Sequence, residues 1–349
     1  MENLKSKRWE TRLDRFGLAI LILGLLSSSA WAQRSSPANP KWPHVNLSTW
    51  YKVDPGFFQR PAGLQWGDMA GITLDRQGQI WLFTRAEKPV QVYDAQGRFV
   101  RAWGEGLIQS AHFIRIDPSG LVWLADNGNH VVMQFTPEGK LLKTLGTPGE
   151  PGEDATHLNG PTDMAISSSG DVFVADGYGN ARIAHFDSSG KFVKEWGKMG
   201  IGPGEFSFPH SIVMDSAGRL YVADRSNNRI QVFDQGGKFL DGWRNLMVPW
   251  GLYVIRTDNQ EDQIWACGSS PMPWAQDDEL LGAPPKDQLV MRFDTTGKLL
   301  QLWTIPKGED GKERPGEVNW LHAVAVDSDG NLYVGDIRGR QAQKLLRQR

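Results

Sequence analysis

From Met69 onward the chain alternates short apolar runs with polar turns centred on glycine. The stretch "PHSIVMDSAGRLYVADRSNNRIQVFDQGGKFLDGW", starting at Pro209, is typical: four runs with alternating apolar positions, the first two joined by a D-x-x-G turn and the last two by a second Gly turn. Alternation of period two bounded by Gly, Asp and Ser predicts β-strands, and the turns predict antiparallel neighbours. The same pattern starts at Met69, Ala111, Pro161, more loosely at Pro249, and again at Leu321. Six copies of four strands, recurring at roughly 40–50 residues, predict an all-β chain folded as a six-bladed β-propeller, and the density of β-branched and aromatic positions excludes a helical solenoid. The sixth copy stops near Leu346 without a fourth strand, whereas "HVNLSTWYKV" (44–53) has strand character ahead of the first copy. That segment is expected to supply the missing outer strand and close the ring. The first strand of each copy then lines the central channel.

Composition narrows the class. The chain has 349 residues and a net charge of −2, and no Lys/Arg run in its body, which excludes a basic nucleic-acid surface. Fifteen Trp and 39 Gly suit many short strands and tight turns. Residues 1–32 differ from the rest: Lys5, Lys7, Arg8, Arg12 and Arg15 precede the uncharged "GLAILILGLLSSSAWA", which ends in Ala30-Trp31-Ala32. This is the pattern of a cleaved signal peptide, with cleavage expected before Gln33, export to the periplasm or cell exterior, and no stable membrane insertion afterwards. An uncleaved N-terminal anchor is the alternative. Residues 33–349 form one propeller domain in this reading. Cys267 is the sole cysteine, so packing and not disulfides must hold the exported fold. Nothing in the sequence indicates an oligomer.

The chemistry emerges when the copies are aligned on Gly78, Gly120, Gly170, Gly218 and Gly330. Eight positions earlier stand Ala70, His112, Thr162, His210 and His322, with Trp250 or Gly251 in the looser fifth copy. Three of the seven histidines thus share one repeat position in alternate copies. Alternate blades of a six-fold ring lie a third of a turn apart, so these imidazoles are expected to converge on the axis as a three-His metal site with open positions, suited to zinc or another divalent transition metal. His44, His130, His157 and His185 share no such register and read as surface or structural. A second set lies where the second strands end: Arg85, Arg225 and Tyr178. Two cations and a phenol beside a metal suit a carboxylate-bearing substrate, and the neighbouring charges are expected to lower the phenol's pKa towards that of a usable base. Each Arg reads equally as the ion-pair partner of a nearby Asp. Asp126, Asp176, Asp224 and Asp336 recur at one position and read as blade-locking residues.

The strings "PTDMAISSSGDVFVADGYGNARIAHF", "GPGEFSFPHSI" and "LYVADRSNNRIQVF" resemble NHL repeats and, more closely, peptidyl-α-hydroxyglycine α-amidating lyase, the second enzyme of peptide C-terminal amidation. The resemblance is densest over 161–233 and extends over about Trp50 to Leu345. It implies zinc ligands at His112, His210 and His322, a catalytic Tyr at Tyr178, and active-site arginines at Arg85 and Arg225. It also marks departures. Ala323 stands where the family has an Asp ligand of a structural calcium, Trp320 where it has Met, and Gly179, Tyr221 and Val232 where it has cysteines. The implied reaction cleaves the C–N bond of a peptidyl- or N-acyl-α-hydroxyglycine to an amide and glyoxylate. Two other readings stand beside it: a non-catalytic propeller acting as a binding or sensor module, and a propeller hydrolase of lactonase type, whose calcium is held by carboxylates and Asn instead of imidazoles. The Pro-rich segment 268–287 reads as a loop over one face, either a substrate lid or a decorated turn.

Overall fold

The structure, a computed structural model, describes residues 51–244, 247–256, 261–270 and 288–348. The expected export segment, His44, the strand segment up to Trp50 and residues 271–287 of the Pro-rich loop lie outside these described residues. No described helix is long and apolar enough to cross a membrane.

The alternating runs form six four-stranded antiparallel sheets. Five are built from consecutive strands. The sixth takes Leu321–Val326, Leu332–Asp336 and Gln341–Arg347 from the end of the chain and Tyr51–Asp54 from the start, with Tyr51 opposite Arg347 and Val53 opposite Leu345. The ring is thus closed by the early strand, as the incomplete last copy requires. Tyr51 also stacks on Trp303 of blade five, with ring centroids 4.6 Å apart. A short 3-10 turn at Arg225–Asn227 is the one helical element among the described residues.

The first strands (Met69–Leu74, Ala111–Ile116, Pro161–Ile166, Pro209–Met214, Val248–Ile255 and Leu321–Val326) contact one another in order around the ring. Apolar side chains from facing blades fill six clusters, one at each interface. Between blades one and two, for example, Trp81, Phe83, Ile114, Leu124 and Phe135 pack together. The cores therefore lie between blades, and no blade could bury its faces alone.

The repeated turn shows why the sequence pattern is so regular. In Asp75, Asp117, Asp215 and Asp327 one carboxylate oxygen accepts backbone N–H groups of the turn, while the other accepts Trp81 Nε1, Trp123 Nε1, the Tyr221 hydroxyl or the Tyr333 hydroxyl at 2.9–3.2 Å. One residue thus sets the Asx turn and satisfies the polar tip of a buried aromatic. Asp126, Asp176, Asp224 and Asp336 are fully buried and act as the expected locks. Each carboxylate accepts backbone N–H groups of the loop entering its own blade, at Gln109 and Ser110, Asn159, Ser207, and Asn319 and Trp320.

Candidate metal centre and active site

In every blade the pairing of first and second strands slips near its start, leaving Ala70, His112, Thr162, His210, Trp250 and His322 without a ladder partner. These are β-bulges, which re-aim a side chain. The histidine position of the repeat is a bulged position, so the imidazoles project toward the axis. Residue 250, and not 251, is the bulged position of the fifth copy.

His112, His210 and His322 converge: their ligand atoms all lie within 4.8 Å of one another, and all three residues are buried. Each Nδ1 is tied to a backbone carbonyl of the next blade at the same repeat position: Thr162 at 2.7 Å, Trp250 at 2.6 Å and Ala70 at 2.6 Å. A carbonyl only accepts, so each Nδ1 carries the proton and each Nε2 presents a lone pair. Burial and neighbouring positive groups push His112 and His210 well below the ordinary imidazole range; for His322 burial dominates and brings it to about 3. The imidazoles are therefore neutral.

Three lone pairs face one small space. The Tyr178 hydroxyl lies 3.2 Å from His112 Nε2 and 3.3 Å from His210 Nε2, and its single proton serves one of them at a time. His322 Nε2 has no donor among the described residues. An excess of neutral nitrogen acceptors, each with its second nitrogen anchored to a carbonyl, is the donor chemistry of a three-His zinc site, so the residues fit the expected group.

Tyr178 follows the second strand of blade three (Val172–Asp176). Its backbone N–H bonds Gly160 O at 3.1 Å. Gly160 has φ +70°, and a Cβ there would lie 2.7 Å from Tyr178 Cβ, so only glycine allows this approach. Tyr178 is 39% exposed, while its hydroxyl end is tucked against the imidazoles. Burial raises the hydroxyl pKa, and Arg225 and Arg85 act in the opposite direction. Their influence has the sign expected from sequence, but in the protein alone burial outweighs it.

The two arginines differ. Arg225 lies over the Trp250 ring at 4.8 Å, its charge acts on the Tyr178 hydroxyl, and it has no carboxylate partner among the described residues. The adjacent Asp224 pairs instead with Arg229 at 2.7 Å. Arg85 bonds Ala111 O at 3.2 Å, beside His112, and pairs with Asp68 at 3.3 Å. Its ion-pair reading holds as well, because Asp68 arrives from the loop before its blade. The other described histidines are structural: His130 Nδ1 accepts Gly160 N–H, His157 pairs with Asp154, and His185 stacks on Phe173 and bonds Asp171. Ala323 is buried between blades six and one and offers no side-chain ligand.

Sequence reasoning did not find the channel floor. Phe113 stacks on His322 with centroids 5.1 Å apart, and the Arg115 guanidinium lies 5.2 Å from the Phe113 ring. Arg115 forms a buried pair with Asp163 and bonds Ser211 Oγ at 3.3 Å and Leu252 O at 3.1 Å. These groups lie beyond the imidazoles, on the side away from Tyr178. On their far side a separate cavity of about 200 Å³ opens, lined by Arg115, Ile166, Met214 and Arg256.

The NHL repeat family model matches residues 158–186 and 206–233. The chain is 32% identical to human NHL repeat-containing protein 3 over 85% of this chain and 84% of that protein. It is 29% identical to the peptidyl-glycine alpha-amidating monooxygenase of Mus musculus over 80% of its own length, but spans only 31% of that protein. A probable peptidyl-alpha-hydroxyglycine alpha-amidating lyase of Caenorhabditis elegans is 30% identical over 47% of this chain and 55% of that protein. With its six four-stranded sheets, the chain belongs to the family of NHL-repeat propellers that takes in NHL repeat-containing protein 3 and the peptidyl-α-hydroxyglycine α-amidating lyases.

Proposed function

We propose that this protein is a zinc-dependent carbon–nitrogen lyase acting outside the cytoplasm, cleaving a peptidyl- or N-acyl-α-hydroxyglycine to an amide and glyoxylate. The observation that carries this reading is a phenol hydroxyl within 3.3 Å of two of three converging neutral imidazoles, beside an arginine with no carboxylate partner among the described residues. Similarity to proteins named as amidating lyases supports it.

His112, His210 and His322 would hold the metal through Nε2. The bound ion would act as a Lewis acid on substrate oxygen and favour the ionised phenol. Arg225, which has no carboxylate partner among the described residues, takes the substrate carboxylate, and Arg85 adds positive charge at the same mouth. Tyr178, as phenolate, removes the proton from the carbinol hydroxyl. The electron pair of that O–H bond becomes the second bond of the aldehyde carbonyl as the C–N bond breaks. Tyr178 then returns the proton to the departing nitrogen, so the amide leaves neutral and glyoxylate remains. Phe113 and Arg115 lie on the far side of the imidazoles from Tyr178, so the substrate is taken to enter from the Tyr178 side.

The test is glyoxylate release from α-hydroxyhippurate by the zinc-loaded protein. Tyr178→Phe should lose turnover by roughly 10²-fold or more while retaining one zinc per chain. His210→Ala should lose both zinc and turnover. Unchanged turnover in Tyr178→Phe would sink the assignment.

A further inference from the structure

Beside the imidazoles, on blades four to six, four side chains form a ladder of which the proposed chemistry uses only Arg225. Arg225 covers one face of Trp250 at 4.8 Å; Trp250 meets Trp320 at a centroid distance of 4.2 Å; Arg338 covers Trp320 at 5.6 Å. Trp250 borders the site directly, with its ring 6.4 Å from His210 and 6.3 Å from His322. Trp320 lies one indole further out and is half-buried.

Both indole N–H groups are buried without an acceptor among the described residues. A buried indole ordinarily finds a partner, and a site built with unmet donors selects ligands that supply acceptors. Trp196 and Trp265 also lack acceptors, but they sit away from the imidazoles, against the cores between blades. Trp250 and Trp320 are the pair beside the proposed metal. Each has a cation on one face, which polarises the ring and strengthens its N–H as a donor.

From this geometry we infer that Trp250 and Trp320 form the acyl subsite, and that Trp320 selects substrates whose N-acyl group is planar and aromatic. This rests on the reading of the site as an α-hydroxyglycine lyase. With the substrate carboxylate at Arg225, the amide carbonyl one bond beyond the reacting carbon and nitrogen lies beside Trp250 and accepts from an indole N–H. A flat acyl group then extends the ladder by packing against the Trp320 ring. A small aliphatic acyl group meets the carbonyl donor but leaves Trp320 uncovered.

The experiment is calorimetric binding of N-benzoylglycine and N-acetylglycine to the full-length zinc-loaded protein. Neither carries the hydroxyl, so neither is cleaved. N-benzoylglycine should bind roughly 3- to 10-fold more tightly. Trp320→Ala should reduce that preference below about twofold, with N-acetylglycine affinity unchanged and the thermal midpoint near that of the parent. Equal affinities in the parent, no binding of either ligand, or a preference that survives Trp320→Ala would overturn the subsite. Glyoxylate release, measured in parallel, separates the two ideas: a Trp320-dependent preference without turnover overturns the lyase reading and leaves the subsite standing.

Discussion

Phe208 occupies a position where the fold demands an unusual backbone. Its φ is +61°, and the same repeat position in blade three is Gly160 at +70°. A side chain costs roughly 1–2 kcal/mol in this region. Phe208 endures that cost where its ring meets Tyr178 edge-on, with centroids 6.0 Å apart, and where its carbonyl accepts Arg225 N–H at 3.1 Å. Phe208→Gly should therefore leave stability within about 1 kcal/mol of the parent, since backbone relief offsets lost packing. Turnover should fall several-fold as Tyr178 loses a wall. Urea midpoints together with kcat for glyoxylate release check this; a large stability loss with normal kcat would make Phe208 purely structural. At this scale the sequence was informative about which residues matter but not about their partners. The histidine register survives because glycine turns index the copies. That Asp224 pairs with Arg229 and not with the adjacent Arg225 depends on side-chain direction, which adjacency in the chain does not reveal.

Strands and loops carry the next layer. The loop that feeds blade three ends at Gly160, against Tyr178, and is pinned by Arg182, which donates to His157 O at 2.6 Å, and by Asn180, which donates to Gly152 O at 2.9 Å. Within that loop the Asp154 carboxylate, by hydrogen bonding to the ring, holds the His157 pKa above its ordinary value. A group raised in the folded state contributes stability that is complete below its unfolded pKa, near 6.5, and is lost as pH climbs through the folded value. The thermal midpoint of the parent should therefore exceed that of His157→Gln at pH 5.5, and the difference should shrink by pH 8.5. A difference that grows with pH would contradict the pairing. The channel floor is a stronger test of an element-spanning contact. Arg115, Asp163, Ser211 and Leu252 belong to blades two, three, four and five. Removing one member of a buried pair strands the other, so Arg115→Met should destabilise by roughly 3–5 kcal/mol, read from urea unfolding. No local pattern announces this network, because the partners of Arg115 lie 48 to 137 residues from it along the chain and each sits in an otherwise apolar strand. The strands themselves were legible, since period-two alternation and Asx turns are local properties. The bulges were not, since they arise only when two strands are paired.

The ring as a whole couples its stability to its centre. His112, His210 and His322 come from blades two, four and six, and each reaches across an interface to a carbonyl of the following blade. An ion held by all three Nε2 atoms therefore bears on every interface, directly or through these carbonyls, and binds only when the ring is closed. A ligand that binds the folded state alone stabilises it by about 2.7 kcal/mol at a hundred times its dissociation constant. For a propeller of some 300 residues that corresponds to an increase in thermal midpoint of about 4 °C. The metal-stripped protein should recover that increase on zinc addition, and His210→Ala should not respond. The same argument makes the closing strand part of the site. Without Tyr51–Asp54, Gln341–Arg347 becomes an exposed edge and Trp303 loses its stacked partner, so blade six, which carries His322, is held less firmly. Tyr51→Ala, far from the imidazoles, should lower the thermal midpoint of the stripped protein and weaken zinc binding together, because both depend on the same closed ring. A loss of stability with unchanged zinc affinity would show that the centre is organised by its three blades alone.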